Sequence, residues 1–473
     1  MSDWRTPADL AGKRVTVLGL GTRGGGVGVA RFLAEHGAIV TVTDAKPASE
    51  LQSSLEQLAG LDIRFVLGGH DERDFTRAGA DMVVRNPSVP RKAALLERAR
   101  EEGVPVEMEM SLFLRFAPGP VIGVTGTKGK TTTSNLLALM LQHWRPQTRV
   151  AGNMGIPALE LVDELDEETA TVLELSSWQL EGMDEHQLSP HIAVLTNISP
   201  DHLNTYDSFE AYAETKRRIG VHQTPDDFLV VNADDREARK AIVDAPGRVV
   251  PFGRRVNGGL GMTINGRLLE WRFDGQTAKF DVPSSSFALA GEHQVENVAA
   301  AAAAALLLGA PPESIDAGLI AFEGVPNRGE LVAEIDGVLY VNDTAATAPA
   351  AALAAMERFA GQRIHLITGG ANKSLDLKPL AEAIRTHTAS VTLIDGSATP
   401  LLQQLLTGAE QPVMGPFRAM EPAIDAARSQ AQRGDVVLLS PGVASFGIFT
   451  DEFERGEQFR SAVERLAREA VGR

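Results

Sequence analysis

The chain has no cysteine. Disulfides, thiolate zinc sites and cysteine nucleophiles are therefore excluded, although the compartment is left open. Positive charge is in deficit: 45 Lys and Arg stand against 62 Asp and Glu, for a formal net charge of −17. Nucleic acid is held by broad basic surfaces that displace counterions, so no nucleic-acid partner is expected and any anionic ligand must be gripped locally. The first residues, Met1 to Arg14, carry mixed charges with no apolar leader before a cleavage site. The longest apolar run, Val298 to Leu308, is roughly half the ~20 residues of a membrane span and is mostly alanine, which points to a buried helix. A cytoplasmic chain without membrane insertion, acting as a monomer, is expected. No fixed-period repeat and no low-complexity tract is present.

What remains is the composition of a folded protein, with 44% hydrophobic and 23% charged residues. At 473 residues it exceeds one ordinary core. Short β-branched runs alternate with helical patterns: Arg14 to Leu18, Ile39 to Val42, Ile63 to Leu67 and Met82 to Val84 come first. After the Pro/Gly break Phe116 to Pro120 follow Val121 to Thr125, Val172 to Leu175, Ile192 to Thr196 and Phe228 to Asn232, then a Gly-rich, β-like stretch from Val249 to Val282. The last third shows His365 to Thr368, Val391 to Ile394 and Val436 to Leu439. The pattern predicts an α/β chain of three domains: Rossmann-like over 1–117, P-loop ATPase-like over 118–325 and Rossmann-like over 326–473.

The run Val121 to Thr125 leads into Gly126, Thr127, Lys128, Gly129, Lys130, Thr131 and Thr132 and then into a helical pattern from Leu136 to Leu141. A strand, a glycine turn and Lys-Thr at a helix start form a cradle in which backbone N–H groups and the helix dipole hold a polyphosphate. Lys130 then reaches the outer phosphates and Thr131 offers its hydroxyl to Mg²⁺. Val124 occupies the place of the first glycine in the common phosphate-loop pattern. Nearer the start, Gly19-Leu20-Gly21-Thr22-Arg23-Gly24 follows the first strand, and Asp44 ends the next. This is a dinucleotide fingerprint, with Gly21 and Thr22 near a pyrophosphate and Asp44 available to a ribose hydroxyl; a UDP-sugar satisfies it as well as NAD.

Read in order, further segments accompany the loop: Glu174-Leu175-Ser176-Ser177-Trp178-Gln179-Leu180, Asn197-Ile198-Ser199-Pro200-Asp201-His202-Leu203, Lys216, Asn232-Ala233-Asp234-Asp235, and Gly291-Glu292-His293 with Asn297. With these the chain resembles the Mur ligase family along essentially its whole length, and most of all the branch that adds glutamate. The resemblance implies an ATP- and Mg²⁺-dependent amide ligase joining glutamate to UDP-MurNAc-L-alanine through an acyl phosphate. Such chemistry needs cations, because a carboxylate about 4 Å from a phosphate is opposed by roughly 4 kcal/mol per charge pair at an effective dielectric near 20.

The resemblance assigns Lys130, Glu174, His202 and Lys216 to catalysis, with Thr131, Glu174, His202 and a carbamylated Lys216 around the metal. It places His293, Asn297, Arg328 and Asp343 around the nucleotide. By the same resemblance Asn153, Ser176 and Gln179 are expected to grip the muramoyl-alanine, and Thr347, Lys373 and Ser445 to hold glutamate. Three departures stand near the last of these. Asp343-Thr344-Ala345-Ala346-Thr347-Ala348 lacks a lysine and an asparagine usual in the branch, Asn327-Arg328 replaces His-Arg, and Glu452 takes an aromatic position. In the first domain Asn86-Pro87-Ser88-Val89 replaces the usual Pro-Gly. D-glutamate is the expected substrate, with L-glutamate or another amino acid left open. An NAD-dependent dehydrogenase built on Gly19 to Gly24, or a non-catalytic nucleotide-binding regulator, are the readings from other classes; the first leaves the 126–132 loop without a purpose.

Overall fold

The computed structural model describes residues 4–22, 24–152, 157–201, 206–284, 286, 291–372 and 375–471. These belong to two compact units, Met1–Pro283 with Gly291–Phe322, and Ser284–Ala290 with Glu323–Arg473.

The first unit opens with five parallel strands, β1 (Arg14–Leu18), β2 (Ile39–Asp44), β3 (Ile63–Leu67), β4 (Met82–Arg85) and β5 (Val106–Glu107), in the order β3-β2-β1-β4-β5. The chain winds outward from β1 in one direction and resumes on its other side at β4. That reversal opens a crevice at the carboxyl ends of β1 and β4, where doubly wound sheets take their ligands.

A second sheet follows in the same unit: β6 (Val121–Thr125), β7 (Arg149–Gly152), β8 (Thr171–Glu174), β9 (Ile192–Leu195), β10 (Phe228–Asn232), β11 (Arg248–Gly253), β12 (Gly261–Asn265), β13 (Leu268–Phe273) and β14 (Gln276–Asp281). Its order is β14-β13-β12-β11-β10-β9-β6-β8-β7, parallel from β7 to β12 and antiparallel over the last two pairings. The Gly-rich stretch of the sequence thus resolves into β11 to β14. The alanine run is helical as expected: residues Val298 to Ala305 of the helix Glu292–Leu307 are fully buried. Small side chains there let it pack closely on the helix Lys130–Gln142. Phe32, Phe113, Phe116 and Leu180 belong to one apolar cluster that joins the two sheets.

The second unit carries a sheet of β15 (Glu330–Ile335), β16 (Val338–Asn342), β17 (Ile364–Gly369), β18 (Thr388–Ile394), β19 (Val413–Phe417) and β20 (Val436–Leu439), ordered β15-β16-β20-β17-β18-β19. Only β15 is antiparallel to its neighbour. Alternation along each strand sends Val341, Leu366 and Leu438 into one core and Tyr340, Ile367 and Leu439 into another, so helices cover both faces.

Candidate active site

Strands β9, β6 and β8 are neighbours, so their carboxyl ends deliver three chain segments to one edge of the second sheet. From β6 comes the glycine turn. Gly126 has φ 149°, and a β-carbon there would stand 1.9 Å from Thr196 Oγ1, so only glycine fits. The turn is braced from β9: Thr127 N donates to Asn197 O (2.8 Å), Lys128 N to Asn197 Oδ1 (2.9 Å) and Thr196 Oγ1 to Lys128 O (2.7 Å). Thr127 Oγ1 lies 3.2 Å from Tyr212 Oη. Lys130 Nζ folds over the turn and donates to Gly126 O and Thr127 O, each at 3.0 Å. Lys128 is exposed, while Thr131 and Thr132 are half-buried on the first helical turn.

Glu174 ends β8 in register with Val124 and is buried. Lys216, on the helix Phe209–Arg217, is 2% exposed, with Nζ 3.5 Å from Thr125 Oγ1 and 5.1 Å from the Tyr212 ring centre. Burial, reinforced by the charge of Lys130, pushes its amine down to about 7, against the opposing pull of Asp201 and Glu174. The helix thus carries a buried lysine, brought electrostatically within reach of Lys130 and Glu174. Its burial favours the neutral form of the amine. Thr196, Asn197 and Tyr212 are the parts that sequence reasoning gave no role; only Asn197 was hinted at, by the Asn197 to Leu203 segment. His202 and Asn153 lie outside the described residues. Among the described residues, no group of three or more His, Asp or Glu is gathered for a metal.

Ser176 and Gln179 form a capping box at the start of the helix Ser177–Glu185: Gln179 Oε1 accepts from Ser176 N (2.8 Å), and Gln179 N donates to Ser176 Oγ (3.3 Å). They are thus occupied locally as well as being candidates for substrate contact. Asn297 is buried against the glycine turn, and its amide Nδ2 donates to Gln294 Oε1 (2.9 Å); His293 is exposed one turn earlier.

At the crevice of the first sheet lies a cavity of about 490 Å³ lined by Gly21, Thr22, Asp44, Lys46, His70 and Asn86 among others. Asp44 is turned toward the protein. Its Oδ2 accepts from Leu20 N (2.9 Å) and Gly21 N (3.0 Å), and its Oδ1 from Lys46 N (2.9 Å). It shapes the glycine turn first, and much of its accepting capacity is spent there.

In the second unit, the loops after β16, β20 and β17 lie side by side. Asp343 Oδ1 accepts from Gly329 N (3.0 Å) and Oδ2 from Ser440 Oγ (2.8 Å); burial pushes this carboxyl up to about 6, against the charges of Arg328 and Arg358. Arg328 itself is exposed. Gly442 N donates to Ala346 O (2.8 Å), and Ala371 and Ala444 pair through both of their backbone groups. Arg455, fully buried, donates to Thr344 Oγ1 and Thr344 O at 2.9 Å each, and to Val443 O at 3.5 Å. Thr347 is half-buried, and Ser445 Oγ is buried with no hydrogen-bond partner among the described residues. Lys373 lies outside them.

Comparison with protein families matches residues 13–107 to the Mur ligase MurD-like N-terminal domain, 124–305 to the Mur ligase middle domain and 327–443 to the Mur ligase glutamate ligase domain. The chain belongs to the Mur ligase family. Among its relatives is the UDP-N-acetylmuramoylalanine–D-glutamate ligase of Roseiflexus sp. (strain RS-1), 48% identical over 96% of this chain and 99% of that one. The enzyme of the same name from Trichlorobacter lovleyi is 39% identical over 97% of this chain and 100% of its own. In fold, the chain resembles the UDP-N-acetylmuramate–alanine ligase of Thermotoga maritima, with a TM-score of 0.57 at 21% identity over 97% of this chain and 100% of that one. A pseudomurein peptide ligase of Methanothermus fervidus gives 0.52 at 19% identity over 96% and 100%.

Proposed function

We propose that this chain joins D-glutamate to UDP-N-acetylmuramoyl-L-alanine at the expense of ATP, in the cytoplasm, as a step of peptidoglycan precursor synthesis. The observation that carries the chemistry is the buried Lys216 set among Lys130, Glu174 and Asp201 at the carboxyl edge of β9, β6 and β8. The names and whole-length identity of the relatives support the choice of substrates.

In this reading the first domain holds the UDP moiety, the second ATP and the third D-glutamate, and one copy of the chain suffices. A carboxylate oxygen of the alanine attacks the γ-phosphorus, ADP leaves, and an acyl phosphate forms. The glutamate amine then attacks the acyl carbon, the tetrahedral oxyanion collapses, and inorganic phosphate departs. Lys130 leaves its two loop carbonyls for the phosphate oxygens and neutralises the approach of one anion to another. The donors present suit Mg²⁺: Glu174 is a buried carboxylate and Thr131 a hydroxyl, both hard oxygen ligands. A carbamate on Lys216 supplies another such ligand, His202 completes the proposed set, and the ion neutralises phosphate charge when bound. Asn153, Ser176 and Gln179 orient the muramoyl-alanine. His293, Asn297, Arg328 and Asp343 take the nucleotide, and Thr347, Lys373 and Ser445 take the glutamate carboxylates.

A phosphate-release assay with UDP-MurNAc-L-alanine and a panel of D- and L-amino acids tests the assignment. Release with D-glutamate alone supports it. Release only with L-glutamate or a basic amino acid would overturn the choice of amino acid and leave the ligation chemistry standing.

A further inference from the structure

His70 lines the cavity at the end of the first sheet but has no part in the function proposed above. Three features fix its position. Gly68 N and Gly69 N donate to Asp44 O (3.0 and 3.3 Å), and Gly68 N also donates to Lys46 O (2.9 Å), which staples the loop after β3 to the end of β2. The ring meets the buried Phe75 edge-on, with centroids 6.5 Å apart and planes at 88°. His70 Nδ1 lies 2.7 Å from Thr43 Oγ1, which is itself 3.2 Å from Gly69 O.

These last two contacts select a tautomer. Thr43 is fully buried and its hydroxyl has a single hydrogen. Both contacts are made together only if Thr43 Oγ1 donates to Gly69 O and accepts from a protonated Nδ1. Nε2 of the neutral ring is then a bare acceptor, with no partner among the described residues, on an exposed side chain at the cavity wall. Asp44, the acid expected to accept from a nucleoside, already accepts from the backbone N–H groups of Leu20, Gly21 and Lys46. Lys46, whose carbonyl is tied to the same loop, also lines the cavity.

An acceptor in this cavity complements the imide N–H of a uracil ring; cytosine presents an acceptor at that ring nitrogen. We propose that His70 is a base-specificity residue of this cavity, its Nε2 accepting a hydrogen bond from the uracil imide N–H of the nucleotide substrate. The inference rests on the reading of this cavity as the UDP site.

Calorimetric titration of the full chain with UDP, CDP and UDP methylated at the imide nitrogen tests it. Native protein should bind UDP about tenfold more tightly than either analogue. His70→Phe keeps the ring and its contact with Phe75, and should lower UDP affinity about tenfold and erase the discrimination; His70→Gln, which regains an acceptor, should restore part of both. In turnover, His70→Phe should raise the KM for the nucleotide substrate and leave kcat nearly unchanged. Undiminished discrimination in a folded His70→Phe chain overturns the role of His70 while the cavity remains a UDP site. Failure of the native chain to bind UDP at all overturns the reading of the cavity, and the inference with it.

Discussion

Gly129 and Asn297 leave no room between them for a side chain: a β-carbon built on Gly129 would stand 2.2 Å from Asn297 Oδ1. Gly129 is also left-handed, with φ 83°, where any other residue is strained by about 1–2 kcal/mol. The helix Glu292–Leu307 thus seats its buried Asn297 directly against the glycine turn, which ties these two segments of the first unit to one another.

Gly129→Ala should therefore displace the turn or Asn297 and weaken ATP binding at least about tenfold, with a stability loss of about 1–2 kcal/mol. Nucleotide titration together with thermal melting checks this. Unchanged ATP affinity would show that the turn does not cradle the phosphates.

Lys216 makes stability depend on pH in a definite direction. Its ordinary value of 10.5 falls to about 7 in the folded chain, so between those limits the unfolded state holds more protons. Stability should then rise with pH across that window, by at most about 1.4 kcal/mol per unit, and be lowest below pH 7. Lys216→Met removes the titration while keeping an apolar stem. In buffer freed of CO₂, its melting temperature should exceed that of the native chain at pH 6, with the gap shrinking toward pH 10, and the variant should be inactive. A variant less stable than native at pH 6 contradicts a net cost of burying this amine in its charged form.

Arg455 holds two loops with one guanidinium, and lysine cannot span Thr344 and Val443 together. Burial pushes this guanidinium down to about 10 without neutralising it at ordinary pH. Arg455→Lys should cost about 2 kcal/mol of stability through lost charge-assisted hydrogen bonds. Because the loops so tied carry Thr347 and Ser445, the KM for glutamate should rise several-fold while that for the nucleotide substrate changes little. Steady-state kinetics in each substrate separates the two effects.

The parts of the fold that could be read in advance were those with continuous apolar strands. Arg14–Leu18, Val121–Thr125 and Phe228–Asn232 are buried parallel strands whose runs stand out from their flanks. Edge strands such as β7, β15 and β19 were not anticipated, since Arg149–Gly152, Glu330–Ile335 and Val413–Phe417 mix polar or exposed residues into short runs. In the site, the 126–132 loop was legible because glycine, lysine and threonine each have a local reason to be there. Lys216 was visible only through resemblance, because its burial comes from Tyr212 and from strands distant in sequence. Asp44 has a local role that its position in the sequence did not reveal: the backbone N–H groups of Leu20 and Gly21 that it holds come to it only once the turn is folded.

In the proposed reaction a carboxyl oxygen of the substrate is phosphorylated before the amide forms. UDP-MurNAc-L-alanine labelled with ¹⁸O in its alanine carboxylate, turned over with ATP and D-glutamate, tests this directly by mass analysis of the released phosphate. One labelled oxygen should pass into inorganic phosphate for each amide bond made; amide formation with unlabelled phosphate would contradict the acyl phosphate.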